Sequence, residues 1–113
     1  MSATEFYLNK GFTPTWKTAS FDEVGTITIW TPRASTRIVL TQLVVASDLA
    51  TSAAFYFGNL AGNKIVQFNI SASSNVSLDL LADSDILDRT LVGNVRTSGT
   101  DGVKVTVFGF EIS

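Results

Sequence analysis

The chain has 113 residues, 45% of them hydrophobic and only 16% charged, with a net charge of −2, no His and no Cys. That length suits one domain, which buries about 65% of the surface its unfolded chain exposes. The missing residue types exclude disulfides, thiolate zinc sites and nucleophiles that need an imidazole base, and the weak negative charge argues against non-specific nucleic-acid binding, which depends on neutralising phosphates.

The charged share lies below the usual value of about 25%, so part of the surface is expected to be covered by partners. No apolar run approaches the roughly 20 residues of a membrane span; the longest, 38–46, is interrupted by Thr41 and Gln42. Met1 to Lys10 lacks the basic start and apolar block of a signal peptide, so the chain reads as neither anchored nor exported by such a signal, and the missing cysteines favour a cytosolic place of synthesis.

Residues 1–23 read as an N-terminal arm. They hold Phe6, Tyr7, Phe12, Trp16 and Phe21 with little periodicity and are broken by Gly11 and Pro14. Large rings without a period suggest a segment that either lies across its own domain or docks on a neighbour, and Phe6, Tyr7, Phe12 and Trp16 are the candidate partner-binding residues of the arm. Residues 24–113 read as the folded domain. Thr26 to Thr31 alternates as a strand and closes at Pro32, which cannot donate to a ladder.

Thr36 to Ser47 is the longest predicted strand. Ile38 and Leu40 fall on one face and Val39, Leu43 and Val45 on the other, so it should be central, with a second face that needs cover. Ala53 to Gly58 is an aromatic strand; Lys64 to Ile70 and Asn75 to Leu80 are one-sided strands; Leu91 to Thr97 is short. Gly58 to Asn63 and Ser98 to Gly102 are the intervening turns, and Val103 to Ile112 closes the chain. About eight strands at short spacing, with no useful helical stripe, indicate an all-β antiparallel β-sandwich, an eight-stranded jelly roll with an N-terminal arm.

The chemistry-bearing groups are sparse. Asp79, Asp83, Asp85 and Asp88 are the one acidic concentration, but the glycine and terminal glutamate of a calcium loop are absent. They therefore read as turn caps balanced by Arg89, with no metal or other cofactor expected. Nothing places two of Glu5, Glu23 and Glu111 across a cleft, and no Ser-x-x-Lys occurs. Trp16, Trp30 and Tyr56 could stack on sugars from a flat sheet face, although core or interface positions are the favoured reading. Trp30, Phe108 and Phe110 are the candidates for an oligomer interface.

The order GTITIWT, TRIVLTQLVVAS, AAFYFGN and VKVTVFGFEIS, with its closing Gly109-Phe110-Glu111, resembles small jelly-roll virion proteins of tailed bacteriophages. The resemblance spans about Gly25 to Ser113. It implies a non-enzymatic capsid decoration or cement protein on the phage head surface, made in the host cytoplasm. Such a protein would form a homotrimer, with arms reaching over a lattice of major capsid protein, and would need neither nucleic acid nor membrane. A receptor-binding or fibre-associated protein, or a carbohydrate-binding module, is the alternative.

Overall fold

Alternating side chains become strands only where partners satisfy their backbones, and among the described residues eight segments find them. The structure, a computed structural model, describes residues 3–21, 25–48, 50–58, 64–96 and 103–113. A short helix α1 (Ala3–Asn9) precedes β1 (Thr15–Phe21), β2 (Gly25–Trp30), β3 (Arg37–Ser47) and β4 (Thr51–Phe57). After these come β5 (Lys64–Ile70), β6 (Ser74–Asp83), β7 (Leu91–Arg96) and β8 (Val103–Ile112).

The strands form two four-stranded sheets, ordered β1-β8-β3-β6 and β2-β7-β4-β5. Every ladder is antiparallel, and the nested pairs β1 with β8, β2 with β7, β3 with β6 and β4 with β5 are those of a long hairpin wound into a jelly roll. The predicted turns at 59–63 and 98–102 lie outside the described residues.

The eighth strand corrects the expected boundary. β1 lies inside the segment read as an arm and pairs with β8 from Thr15 opposite Gly109 to Phe21 opposite Val103. Phe21 is buried in the core. The strand escapes notice in the sequence because Lys17, opposite Val107, occupies a position on the core side and breaks the apolar alternation. Residues Thr15–Phe21 thus supply the edge strand of the first sheet, and α1 with the turn after it precedes the sandwich.

β3 is central, as expected, but its two faces divide differently. Its register against both β8 and β6 shifts between Leu40 and Gln42, leaving Thr41 as an extra residue opposite β8. The shift turns Leu43 and Val45 to the same side as Ile38 and Leu40, and all four join the main core with Trp30, Phe55, Leu91 and Val107. Val39 is left on the outer face, in a separate small cluster with Phe110 and Ile112.

Candidate functional site

That small cluster lies on the outside of the first sheet, and the chain covers it with its own N-terminus. Tyr7 and Phe12 pack on Val39, Phe110 and Ile112. The Tyr7 ring lies 5.3 Å from Phe110 and 6.0 Å from Phe12. Thr4 Oγ1 also donates to Thr41 Oγ1 of the bulge at 3.2 Å.

The geometry that delivers these rings is local. Gly11 has φ of 87°, its N–H reaches the Leu8 carbonyl at 3.0 Å, and the Phe12 N–H reaches the Tyr7 carbonyl at 3.2 Å. This is a Schellman ending, and its usual hydrophobic contact is supplied by Tyr7 against Phe12. The aromatic-x-x-x-Gly-aromatic spacing of Tyr7, Gly11 and Phe12 was the available signal for a helix stop that the strand-centred reading missed.

The arm roofs only part of this face. Among the described residues the large exposed apolar side chains are Phe6, Leu8, Trp16, Leu81, Ile86 and Leu87. Phe6 and Leu8 stand on α1, while Trp16 (65% exposed) and Leu81 (63%) point outward from the edge strands β1 and β6. Ile86 and Leu87 belong to the β6–β7 connection, which hydrogen bonds from Ser84 N to Ile38 O and from Asp88 N to Thr36 O hold beside the start of β3. None of the six is on the outer face of the second sheet.

The candidate residues separate accordingly. Phe6 and Trp16 are exposed, whereas Tyr7 and Phe12 are spent on their own domain. Of the residues read as an oligomer interface, Trp30 is 1% exposed in the main core and Phe110 lies fully buried beneath α1, so neither is free to meet a neighbour; Phe108 is half-buried. The rings considered as a sugar platform do not meet. Trp16 is outside the first sheet, Trp30 is in the core, and Tyr56 is outside the second sheet beneath Lys64 Nζ.

Each residue of the closing Gly-Phe-Glu has its own task. A Cβ on Gly109 would stand 2.2 Å from the Val39 carbonyl oxygen, so only glycine admits β3 this closely at its bulge. Phe110 receives the arm. Glu111 turns toward the core side, where its carboxylate accepts from Trp30 Nε1 at 3.1 Å, Arg33 N at 2.9 Å and Arg33 Nε at 3.0 Å. Burial pushes this carboxyl up, but the hydrogen bonds from Trp30 and Arg33 and the guanidinium charge outweigh it and hold the pKa below the usual glutamate range.

The acidic group is dispersed rather than gathered. Asp83 pairs with Arg37 at 3.1 Å and accepts the Asp85 N–H, Asp88 accepts the Ser35 N–H at 2.7 Å, and Asp79 faces outward on β6. Arg37, and not Arg89, is thus the charge partner; the Arg89 stem lies along Gly58. Among the described residues no group of acidic, His or Cys side chains is placed to hold a metal ion. A groove of about 540 Å³ runs beside β6, lined by Phe57, Ile65, Leu80 and Ile86 with Lys64, Asp83, Asp85 and Arg89 among its polar residues.

No protein-family model and no curated protein matches the chain. Solved structures do. A chain of the Bacillus endospore appendages, described as disulfide-linked pili, aligns over 90% of this chain and 91% of its own at 14% identity and a TM-score of 0.52. The tobacco streak virus coat protein aligns over 88% and 86% at 12% identity and a TM-score of 0.51. A capsid chain of cyanophage Pam1 aligns over 87% and 83% at 14% identity and a TM-score of 0.48. At these identities the likeness is one of fold. The disulfide linkage named for the appendages has no counterpart here, since this chain contains no cysteine.

Proposed function

We propose that this chain is a non-enzymatic structural virion protein, a capsid decoration or cement subunit that self-associates as a trimer and seats on the major capsid protein lattice of a phage head. The observation that carries the reading is that the large exposed apolar side chains among the described residues lie on and around the arm-bearing face, with Trp16 and Leu81 foremost. A soluble domain that leaves such groups together has a protein surface to cover. The jelly-roll fold, which two assembly-forming proteins share, supports it as a scaffold for lattice contacts.

The mechanism is mechanical. Each contact buries on the order of 1,000 Å² of interface, and several copies per oligomer convert modest single contacts into firm attachment. The net charge of −2 gives no reason to engage nucleic acid, and no helix among the described residues is long and apolar enough to cross a membrane. The carbohydrate-binding alternative loses its platform with the separation of Trp16, Trp30 and Tyr56.

The test is to mix purified protein with undecorated capsids and image them, alongside a Phe6→Ala/Trp16→Ala variant. Ordered added density with the parent protein and reduced occupancy with the variant are expected. Bare capsids, together with a 12.1 kDa monomer in light scattering, would overturn the proposal.

A further inference from the structure

The ends of a sheet keep unpaired N–H and C=O groups that another chain can use, and folded proteins blunt them with bulges, inward-pointing charges, Lys or Pro. All four sheet edges here carry some such device, but on β6 it is confined to a bulge past the middle of the strand. β1 sets Lys17 on the core side opposite Val107, β2 is bulged at Ile29, and β5 is bulged at Ile65 and opens with Lys64. β6 is different. Ser74–Asp83 contains no Lys, Arg or Pro, and Ser74 to Asp79 runs in unbroken register with β3; the irregularity opposite Thr41 falls beyond, at Leu80 and Leu81. The core-side residues Val76, Leu78 and Leu80 are apolar yet only partly buried, since β6 is the last strand of its sheet.

We infer that β6 is a self-complementary docking edge, on which a second copy of this chain lays its own β6 antiparallel and joins two four-stranded sheets across a two-fold axis. Faces and charges fix the register. Because side chains alternate, only registers that oppose even-numbered positions keep the apolar row on one side. Near the middle of the strand two such registers compete. Centring on Asp79 sets that carboxylate against its own copy, and like charges directly opposite repel. Centring on Leu78 pairs Leu78 with itself, Val76 with Leu80 and Asp79 with Ser77, so apolar meets apolar inside and each carboxylate faces a hydroxyl outside. The contact is isologous and closes at two copies, so it is a different contact from the three-fold one of the proposed trimer, with main-chain hydrogen bonds supplying attraction. It needs no capsid and does not rest on the decoration reading.

Ser77 is exposed on the outer face, so changing it tests the edge without touching the core. In sedimentation of the full chain, Ser77→Lys, which sets an ammonium against the partner's Asp79 twice, should tighten association several-fold. Ser77→Asp should weaken it by a similar factor, with unchanged thermal unfolding for both when read at dilutions where the chain is monomeric. The cysteine-free sequence allows a second reading of the register: Leu78→Cys should oxidise to a covalent dimer, whereas Asp79→Cys should not. Association that ignores both Ser77 variants but falls with Trp16→Ala would overturn the inference. Cross-linking of Asp79→Cys as fast as Leu78→Cys would overturn the register, and with it the self-complementarity on which the inference stands.

Discussion

The outer faces of the two sheets are built from the same number of strands and dress them in opposite ways. Outside the second sheet Thr26, Thr28, Ser52, Tyr56, Gln67, Asn69 and Asn94 surround the small buried side chains Ala54 and Val92, and the polar residues partly satisfy one another. Asn94 Nδ2 donates to Thr26 Oγ1 at 2.9 Å, and Lys64 Nζ donates to Gln67 Oε1 at 2.7 Å. This is the one-sided strand pattern of a sheet that faces water. Outside the first sheet stand Val39, Phe110 and Ile112, roofed by Tyr7 and Phe12, with Trp16 and Leu81 left uncovered. The difference teaches that the arm is not merely an appendage: it covers a defect in the amphipathicity of one sheet, and what it leaves bare is the candidate contact surface.

The largest test of this contrast is truncation. Removing residues 1–23 deletes β1 with the roof and should abolish cooperative unfolding followed by circular dichroism, whereas removing 1–12 should leave a cooperative transition at lower temperature. A cooperative melt after loss of 1–23 would show the first sheet to be independent of its edge. Next come the buried glycines, one in each sheet. A Cβ at Gly109 meets backbone, so Gly109→Ala should cost more than about 4 kcal/mol in urea unfolding, while at Gly93 it meets the ends of the Ile29 and Phe21 side chains at 2.9 Å, which can shift for about 1–3 kcal/mol.

Phe110→Ala removes the floor under the arm and should cost about 3–5 kcal/mol, against about 0.5 kcal/mol for a polar residue outside the second sheet such as Thr28→Ala. Equal costs would erase the distinction between the faces. Smaller still is Glu111→Gln, which removes a carboxylate accepting from Trp30 and Arg33 and should cost about 1.5–3 kcal/mol at neutral pH. The folded pKa of this group is lowered, so its contribution is fully present above the unfolded value of about 4.3 and is lost as pH falls through the folded value. Denaturant midpoints of parent and variant should therefore converge on acidification, and a constant gap would refute the assignment. Last, Trp16→Ala should change stability by no more than about 0.5 kcal/mol while lowering attachment to a protein lattice.

Much of the sandwich is legible in the residues themselves. The period-two runs of β2, β4, β5, β7 and β8 announce strands because alternation is a property of neighbouring side chains on one backbone, and Trp30-Thr31-Pro32 announces where one stops. The candidate surface was half legible: aromatic density marked the arm, but could not say that Tyr7 and Phe12 turn inward while Phe6 and Trp16 stay out. Sorting them required knowing what lies beneath α1.

By itself, then, the sequence determined an all-β chain without His or Cys chemistry, for these follow from composition and local period. Only the tertiary structure decided that Thr41 bulges and returns Leu43 and Val45 to the core, that Lys17 sits in a genuine strand, and that Trp30 is locked inside by Glu111. Each depends on a partner distant along the chain: β8 for the bulge and for β1, and residue 111 for residue 30. Pairing and burial are settled by packing across the fold, where local period carries no information.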